Sequence, residues 1–237
     1  MRYDSVDYLF GGDDEWRCRL GGPMTRKDVP RVREPRQARS IETYNRLLDA
    51  AEDILLTASF DDTPIAAIAA RANVTIGAFY ARFRNKDALL RRLEERMNED
   101  FLALNAESAG DLEHVTFDGM LLSHHRRLIS VYRRRRGIAR ALVLRSHADA
   151  PLRRRLEKLN SRNLPVFAQA IRKRARIEHP HPDRAIEFAL VAVRSICREV
   201  VLFRESWPGA APISDDELAR ELTRQFLSYL GIRTTSS

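Results

Sequence analysis

The fold is decided by residues 59–90, which read SFDDTPIAAIAARANVTIGAFYARFRNKDALL. Thr63 and the proline after it offer a capping hydroxyl and a first helical residue, which predicts a short helix over about 64–71. Asn73 tolerates the left-handed conformation in which helices end, and Thr75 can cap a further helix directly afterwards. Two short helices separated by a tight turn are typical of a helix-turn-helix, whose second helix enters the major groove of DNA.

Helical patterns continue on both sides of this unit. Apolar residues recur at three- and four-residue steps between Ser40 and Ala58, which predicts a first helix over about 41–58. Asn85 can cap a long fourth helix that begins near Lys86. Further helices are predicted over about 112–136, where Gly137 ends the helix, and over 138–147, 151–178, 183–205 and 214–230. The sequence therefore predicts an all-α fold of about nine helices, with an N-terminal three-helix helix-turn-helix DNA-binding domain and a larger C-terminal helical bundle.

The composition favours a polyanionic partner without requiring one. The chain of 237 residues has a formal net charge of +8, and all but four of its 41 basic residues are arginine. Arginine suits forked contacts with phosphates and bases, although a GC-rich genome would produce the same bias. Cys18 and Cys197 lack metal-type spacing, so a reducing compartment is expected. No secretion signal follows the N-terminus, and charged residues interrupt the apolar stretch 185–203, so we expect a cytoplasmic protein without a membrane span.

The order of residues in 59–90 resembles that of the tetracycline-repressor (TetR) family. The strongest part is residues 79–90, FYARFRNKDALL, which is similar to the family's Leu-Tyr-x-Tyr/His-Phe-x-Ser/Asn-Lys-Glu-x-Leu stretch. The resemblance covers about residues 40–100. It implies a homodimeric regulator, usually a repressor, that binds double-stranded DNA at a palindromic operator and releases it when a small-molecule effector, here unknown, shifts the populations of two states.

Composition, periodicity and the resemblance together divide the chain into segments. We expect a disordered basic arm at 1–38, the helix-turn-helix domain at 39–86, a helical ligand-binding and dimerisation domain at 87–232 and a disordered tail at 233–237. The arm is either a solvated tail or a DNA-contacting arm, and Met24 before its basic run suggests that residues 1–23 are an upstream extension. The helices at 183–205 and 214–230 would pair with their copies in the dimer; alternatively, their apolar faces belong to the chain's own core.

Candidate DNA contacts follow from the same residues. The resemblance makes Tyr80, Arg82 and Lys86 phosphate clamps, whereas Thr63 either caps a helix or offers its hydroxyl or N–H to a phosphate. Gly77 leaves room for the close approach of DNA or of another helix. Ile76 and Ala78 would contact thymine methyls, so that direct readout rests on Thr75 and Tyr80. The full candidate set is Arg39, Thr63, Thr75, Ile76, Gly77, Ala78, Tyr80, Arg82 and Lys86, whereas Phe79 and Phe83 are expected in the core.

Two other clusters have less specific interpretations. Residues 133–136 are four consecutive arginines, for which we favour a solvated helix end; a DNA-contacting flank and a site for an anionic ligand are the alternatives. His124 and His125 point away from each other on a helix, and His179-x-His181 has no acidic or cysteine partner at ligand spacing, so a metal site is disfavoured. No catalytic or cofactor-binding motif is present, which argues against an enzyme.

The sequence alone does not decide between several functions and does not locate the ligand site. The chain could be a ligand-independent DNA-binding or architectural protein, or a helical partner-binding protein whose basic surface is incidental. Residues lining a ligand pocket are unknown, because aromatic residues of the C-terminal part either line a pocket or fill a core. These residues are Phe101, Phe117, Tyr132, Phe167 and Phe188.

Overall fold

The computed structural model of the chain describes residues 38–110, 116–203 and 213–232. Across these ranges the backbone forms nine α-helices and no β-strand. They are α1 (Ala38–Leu55), α2 (Ile65–Arg71), α3 (Ile76–Tyr80), α4 (Lys86–Gly110), α5 (Phe117–Arg134), α6 (Arg136–Ala148), α7 (Ala150–Arg174), α8 (Pro182–Leu202) and α9 (Asp215–Tyr229). The prediction of an all-α fold with about nine helices is confirmed. The predicted tail, and the predicted arm apart from Ala38, lie outside the described residues.

Short polar side chains begin or end the helices where the sequence indicates. The Thr75 hydroxyl accepts a hydrogen bond from the N–H of Ala78 at 3.1 Å and so caps α3. The side-chain oxygen of Asn85 accepts one from the N–H of Ala88 at 2.9 Å and so caps α4. Asn73 has φ 52°, the left-handed conformation that ends α2. All three predictions are confirmed.

Two predictions about the ends of the first two helices are wrong. Thr63 does not cap α2, because its hydroxyl donates to the carbonyl of Ser59 at 2.6 Å. Pro64 stands at the capping position and makes no side-chain bond there. The first helix ends at Leu55 rather than near 58, because the N–H groups of Thr57 and Ala58 both donate to the carbonyl of Ile54 in a tight turn.

The sequence suggested that Gly137 ends a helix, and this prediction is wrong. The break between α5 and α6 lies at Arg135, and Gly137 is the second residue of α6. A Cβ atom on Gly137 would lie 2.6 Å from the carbonyl carbon of Leu55, closer than real Cβ atoms come to backbone. The glycine therefore allows α6 to contact the end of α1.

Two clusters of buried apolar residues organise the helices. The first joins α1, α2, α3 and the start of α4 to the beginnings of α6 and α7, through residues such as Leu47, Phe83, Leu89, Ile138 and Leu152. The second lies among α4, α5, α7, α8 and α9. The domain boundary expected after residue 86 falls at the first residue of α4, and the first cluster continues past it. Helix α4 contributes to both clusters, so a tilt of α4 would be felt by the helices on either side.

The apolar faces of α8 and α9 that were expected to meet a second copy lie instead in the chain's own core. Cys197 on α8 is fully buried, and Phe226 on α9 is 1% exposed. Ile186, Leu190, Val193, Leu218 and Leu222 are likewise buried in the second cluster. These seven residues therefore belong to the core of the chain itself, and the pairing of the two helices with a second copy stays a prediction. The reason is that α5 packs against both helices and covers that face.

Candidate nucleic-acid interface

Helices α2 and α3 form the predicted helix-turn-helix. Beyond α2, the N–H of Val74 donates to the carbonyl of Ala69 at 2.9 Å, which closes the turn around Asn73. Helix α3 then starts at its Thr75 cap. A left-handed residue followed by a capped helix reverses the chain within four residues, so α3 leaves the turn in a direction fixed by backbone hydrogen bonds. The unit is built locally and needs no outside partner to set its angle.

Helix α3 has one buried and one exposed face. Phe79 and, just beyond the helix, Phe83 are both fully buried, as expected for core residues. Their rings lie 5.4 Å apart, and Phe83 stacks on Tyr44 of α1 at 5.2 Å. Ile76 and Tyr80, in contrast, are 48% and 55% exposed. The aromatic cluster therefore fixes α3 to the core while the opposite face of the helix stays open.

Gly77 lies on the open face. A Cβ atom at this position would meet only the hydroxyl of Thr75, at 3.7 Å. That is an ordinary van der Waals distance, so nothing in the described part of the chain requires a glycine here. The packing of another described helix of this chain is therefore not the reason for the glycine.

Arg82 is held by the protein itself. Its guanidinium donates to the carbonyl of Ser40 at 3.2 Å, to the Ser40 hydroxyl at 3.4 Å and to the carbonyl of Ala78 at 2.9 Å. Ser40 belongs to the first turn of α1, so Arg82 joins α1 to the end of α3. Sequence reasoning missed Ser40 as a partner, because the two residues are 42 positions apart.

Lys86 is also occupied within the chain. Its ammonium donates to the carbonyls of Phe60, Asp61 and Thr63, at 2.7, 2.8 and 3.1 Å, and lies 4.8 Å from the ring centroid of Phe60. An ammonium group has three donors, and all three are used. Lys86 thus fastens the loop between α1 and α2 to the start of α4.

The other candidates differ in accessibility. Thr63 is 5% exposed, its hydroxyl is bonded to Ser59, and its N–H donates to the carbonyl of Phe60 at 3.3 Å. Thr75 lies exposed on the open face of α3, and Ala78 is half-buried beside it. The side chain of Arg39 lies outside the part of α1 whose side chains are described. The structure thus brings Thr75, Ile76, Gly77, Ala78 and Tyr80 together and leaves Thr63 behind them.

Three of the four arginines at 133–136 form ion pairs. Arg133 lies 2.8 Å from Asp215 of α9, and Arg134 lies 3.2 Å from Asp100 of α4. Arg135 bonds both Asp100 and Glu52 of α1. Burial alone would raise the pKa of Asp100, but hydrogen bonds from Arg135 and Arg134 outweigh it and hold that pKa below its ordinary value. Arg135, whose side chain is 18% exposed, does not fit the favoured interpretation of a solvated helix end, whereas the side chains of Arg133 and Arg134 are 37% and 53% exposed.

The adjacent histidines of α5 are buried in different contacts. His124 stacks on Phe167 with ring centroids 3.8 Å apart, and its Nδ1 lies 2.9 Å from the hydroxyl of Ser108. The Nδ1 of His125 lies 2.8 Å from the hydroxyl of Thr223 on α9. Burial lowers the pKa of His125 to about 3, and burial followed by neighbouring cationic groups holds the pKa of His124 well below its ordinary value. Both rings are therefore neutral near pH 7.

Two further properties concern the described helices. Among them, none is long and apolar enough to cross a membrane. Within the same ranges, no three histidine, cysteine, aspartate or glutamate side chains come together in a way that could hold a metal ion.

Comparison with known proteins agrees with this geometry. Residues 47–93 match the family model described as bacterial regulatory proteins, tetR family. A putative TetR-family transcriptional regulator from Mesorhizobium loti MAFF303099 is similar over 82% of this chain and 98% of its own, with 20% identity and a TM-score of 0.63. A transcriptional regulator from Rhodococcus sp. Rha1 is similar over 81% and 99%, with 17% identity and a TM-score of 0.63.

One of the similar structures has a lower sequence identity and a more specific name. The fatty acid degradation regulator FadR from Bacillus halodurans is similar over 84% of this chain and 100% of its own, with 14% identity and a TM-score of 0.63. At these identities the likeness establishes the fold alone. No curated protein matches the chain.

The helix-turn-helix, the match over residues 47–93 and the helical fold behind it define a DNA-binding transcriptional regulator. More particularly, residues 47–93 match the tetR family of bacterial regulatory proteins, and the described helices resemble the fold of solved TetR-family regulators.

Proposed function

We propose that this regulator is a ligand-responsive repressor that acts as a cytoplasmic homodimer on a palindromic operator. The observation that carries the proposal is the open face of α3, where Ile76 and Tyr80 are 48% and 55% exposed. Exposed apolar and aromatic side chains on a rigidly held short helix suit the major groove, where thymine methyls and base edges are accessible.

The contacts of the candidate residues support a division of roles. Thr75, Ile76, Gly77, Ala78 and Tyr80 lie on the surface that would enter the groove, with Gly77 allowing the backbone to come close. Arg82 and Lys86 act first as positioning residues, because their donors hold the loop and helix ends next to α3. A phosphate contact by Lys86 would require it to release one of its three carbonyls.

Thr63 is not part of the proposed contact surface, because it is buried with its hydroxyl and N–H both bonded. Arg39 stays a candidate, since it precedes Ser40, which Arg82 ties to α3. In this proposal residues 39–86 form the reading domain, and residues 87–232 form the effector-binding and dimerisation part.

Dimerisation is proposed through exposed residues of α8 and α9 rather than through the residues of these helices that are buried in the core. Phe188, Val191 and Tyr229 are 60%, 50% and 40% exposed, and the rings of Phe188 and Tyr229 lie 5.3 Å apart. Side chains of this size rarely stay exposed in a contiguous patch unless they meet a partner. A second copy suits the patch, because two helices per protomer give a self-complementary four-helix contact and the fixed spacing that paired half-sites need.

The DNA-binding experiment uses the region upstream of the protein's own gene. We expect sequence-dependent binding by the wild type, and about ten-fold or greater weakening by Tyr80→Ala. Leu144→Ala is the matched control, because Leu144 is 53% exposed on α6, outside the helix-turn-helix. Weak binding that ignores sequence and is equal in both variants would refute the proposed reading surface and favour an incidental basic surface.

The dimer experiment measures molar mass in solution by light scattering. Phe188→Asp places a charge in the proposed contact and should produce monomers that retain their helical fold but bind the operator far more weakly. Leu144→Asp should leave a dimer. A Phe188→Asp protein that stays dimeric would place the contact elsewhere.

A further inference from the structure

A small cavity lies between α4, α5, α7 and α8. Its volume is about 20 Å³, and Phe101, Asn105, His124, Phe167 and Arg194 are among the residues that line it. That volume holds about one water molecule. The wall is mostly aromatic and aliphatic, so a larger guest would be bound mainly by apolar contact once side chains move aside.

Arg194 places a positive charge on this apolar wall. Its guanidinium carbon lies 4.8 Å from the ring centroid of Phe101, and its charge acts on the nearby Tyr132, where it opposes the rise of the pKa that burial causes. No aspartate or glutamate lines the cavity, and in the part of the chain that the structure describes no carboxylate pairs with Arg194. This is unlike the arginines at 133–135, each of which has an acidic partner.

The other polar groups at the wall do not offset this charge. The Asn105 side chain is uncharged. His124 is neutral, since burial first, and then His125, Arg194 and Arg127, hold its pKa well below the ordinary value. The low dielectric of the surroundings strengthens the attraction between Arg194 and any anion that enters. The cavity therefore favours a guest with a negative group and disfavours a cationic one.

Helix α7 has a weak point next to the cavity. Pro165 lies inside α7 and cannot donate to the carbonyl one turn before it, so the helix lacks one of its hydrogen bonds there. Phe167 follows two residues later and closes the cavity by stacking on His124 at 3.8 Å. A side chain beside an interrupted hydrogen-bond ladder can be displaced at lower cost than one in an intact helix.

From this arrangement, and resting on the proposed function, we infer that the effector is an organic acid, with a carboxylate that binds Arg194 and an apolar or aromatic body that displaces Phe167 from His124. A single arginine matches a single carboxylate, with two parallel N–H donors for its two oxygens. The apolar remainder of the wall matches the body of the molecule.

The experiment is isothermal titration of the full-length protein with pairs of matched compounds. The probes are octanoate, decanoate, benzoate and phenylacetate, each compared with its primary amide, which keeps the shape and removes the charge. We expect at least one acid to bind roughly ten-fold or more tightly than its amide, as a hydrogen-bonded charge would give. Arg194→Gln should abolish that preference, and Arg194→Lys should retain part of it.

Arg184→Gln is the matched control, because Arg184 lies exposed on the same helix outside the cavity. The inference is overturned if none of the four acids binds, if each acid binds no better than its amide, or if folded Arg194→Gln keeps the preference. Operator binding is measured on the same samples. Acid binding without operator binding would contradict the proposed function alone, and operator binding without acid binding would contradict this inference alone.

Discussion

Gly137 of α6 lies directly against the last residue of α1, Leu55. A Cβ atom on Gly137 would be 2.6 Å from the carbonyl carbon of Leu55 and 2.7 Å from its carbonyl oxygen. Helix α1 packs on the helix-turn-helix, whereas α6 also borders the C-terminal helices. The contact is therefore a place where the two parts of the chain are held at a fixed distance, and it depends on the absence of one methyl group.

Gly137→Ala should force α6 away from α1. We expect the free energy of unfolding to fall by about 1–3 kcal/mol, as in other overpacked contacts, even though alanine is the better helix former. Urea unfolding measures this. Gly77→Ala is the matched control, because Gly77 is also the second residue of its helix but has an open environment. Equal stability of wild type and Gly137→Ala would show that the helices separate without cost.

Gly77→Ala should weaken DNA binding without lowering the stability of the fold. The Cβ atom meets nothing nearer than 3.7 Å in the chain, and alanine favours the helix by about 0.5–1 kcal/mol. The melting temperature should therefore stay equal or rise, while operator affinity falls because a methyl group is added on the surface that approaches DNA. Unchanged affinity would mean that Gly77 does not face the DNA.

Lys86→Met should destabilise the fold before it affects DNA contacts. The substitution keeps the length of the side chain but leaves the carbonyls of Phe60, Asp61 and Thr63 without their donor. We expect a loss of about 1–3 kcal/mol in the free energy of unfolding. Arg84→Met is the control, because Arg84 is an exposed cation two residues earlier. A Lys86→Met protein with wild-type stability and weakened operator binding would instead support a direct phosphate clamp.

Glu52→Gln should weaken the connection between α1 and the C-terminal helices. The side chains of Glu52 and Arg135 are only 17% and 18% exposed. Two partly buried cations would lose a partner, because Glu52 also pairs with Arg96 at 3.0 Å; Arg135 would keep Asp100, and Arg96 would keep Asp49. We expect the unfolding free energy to fall by about 1–3 kcal/mol. The neighbouring Asp53→Asn breaks the solvent-exposed pair with Arg71 and should cost at most about 0.5 kcal/mol. Equal effects of the two changes would contradict the role of burial.

The residues that the sequence identified correctly are those with local partners. Thr75 and Asn85 each bond an N–H three residues ahead, so their identity and position were enough to predict the caps. The partners of Lys86 lie 23 to 26 residues away, and Arg135 reaches Glu52 over 83 positions. Such contacts depend on how helices pack, which a periodic pattern does not specify.

The same limit explains the error on α8 and α9. Periodicity identified correctly most of the buried residues of these helices, including Leu190 and Phe226, but it also placed the exposed Tyr229 among them. It could not say whether α5 of the same chain or a second copy covers them, because both offer an apolar surface. Phe188 lies off the predicted apolar face of α8, and only the packed structure shows that it and Tyr229 are left exposed beside each other.

Acid should destabilise the protein through His125. Burial lowers the pKa of this histidine to about 3 from an ordinary value of 6.5, so below pH 6.5 the unfolded chain takes up a proton that the folded chain does not. The stability contributed by the neutral ring is complete above pH 6.5 and is lost progressively as pH falls towards 3. The loss approaches about 1.4 kcal/mol per pH unit, or about 2 kcal/mol between pH 7 and pH 5.

His125→Gln should reduce this pH dependence. The glutamine amide can still donate towards the hydroxyl of Thr223, but it takes up no proton between pH 7 and pH 5. We expect the variant to be less stable at pH 7, because packing against Phe226 is lost, and to lose about 2 kcal/mol less than the wild type on acidification. Chemical unfolding at both pH values measures the difference, with His147→Gln, at an exposed position of α6, as the control. If His125→Gln lost as much stability as the wild type between pH 7 and pH 5, the acid sensitivity would belong to groups other than His125.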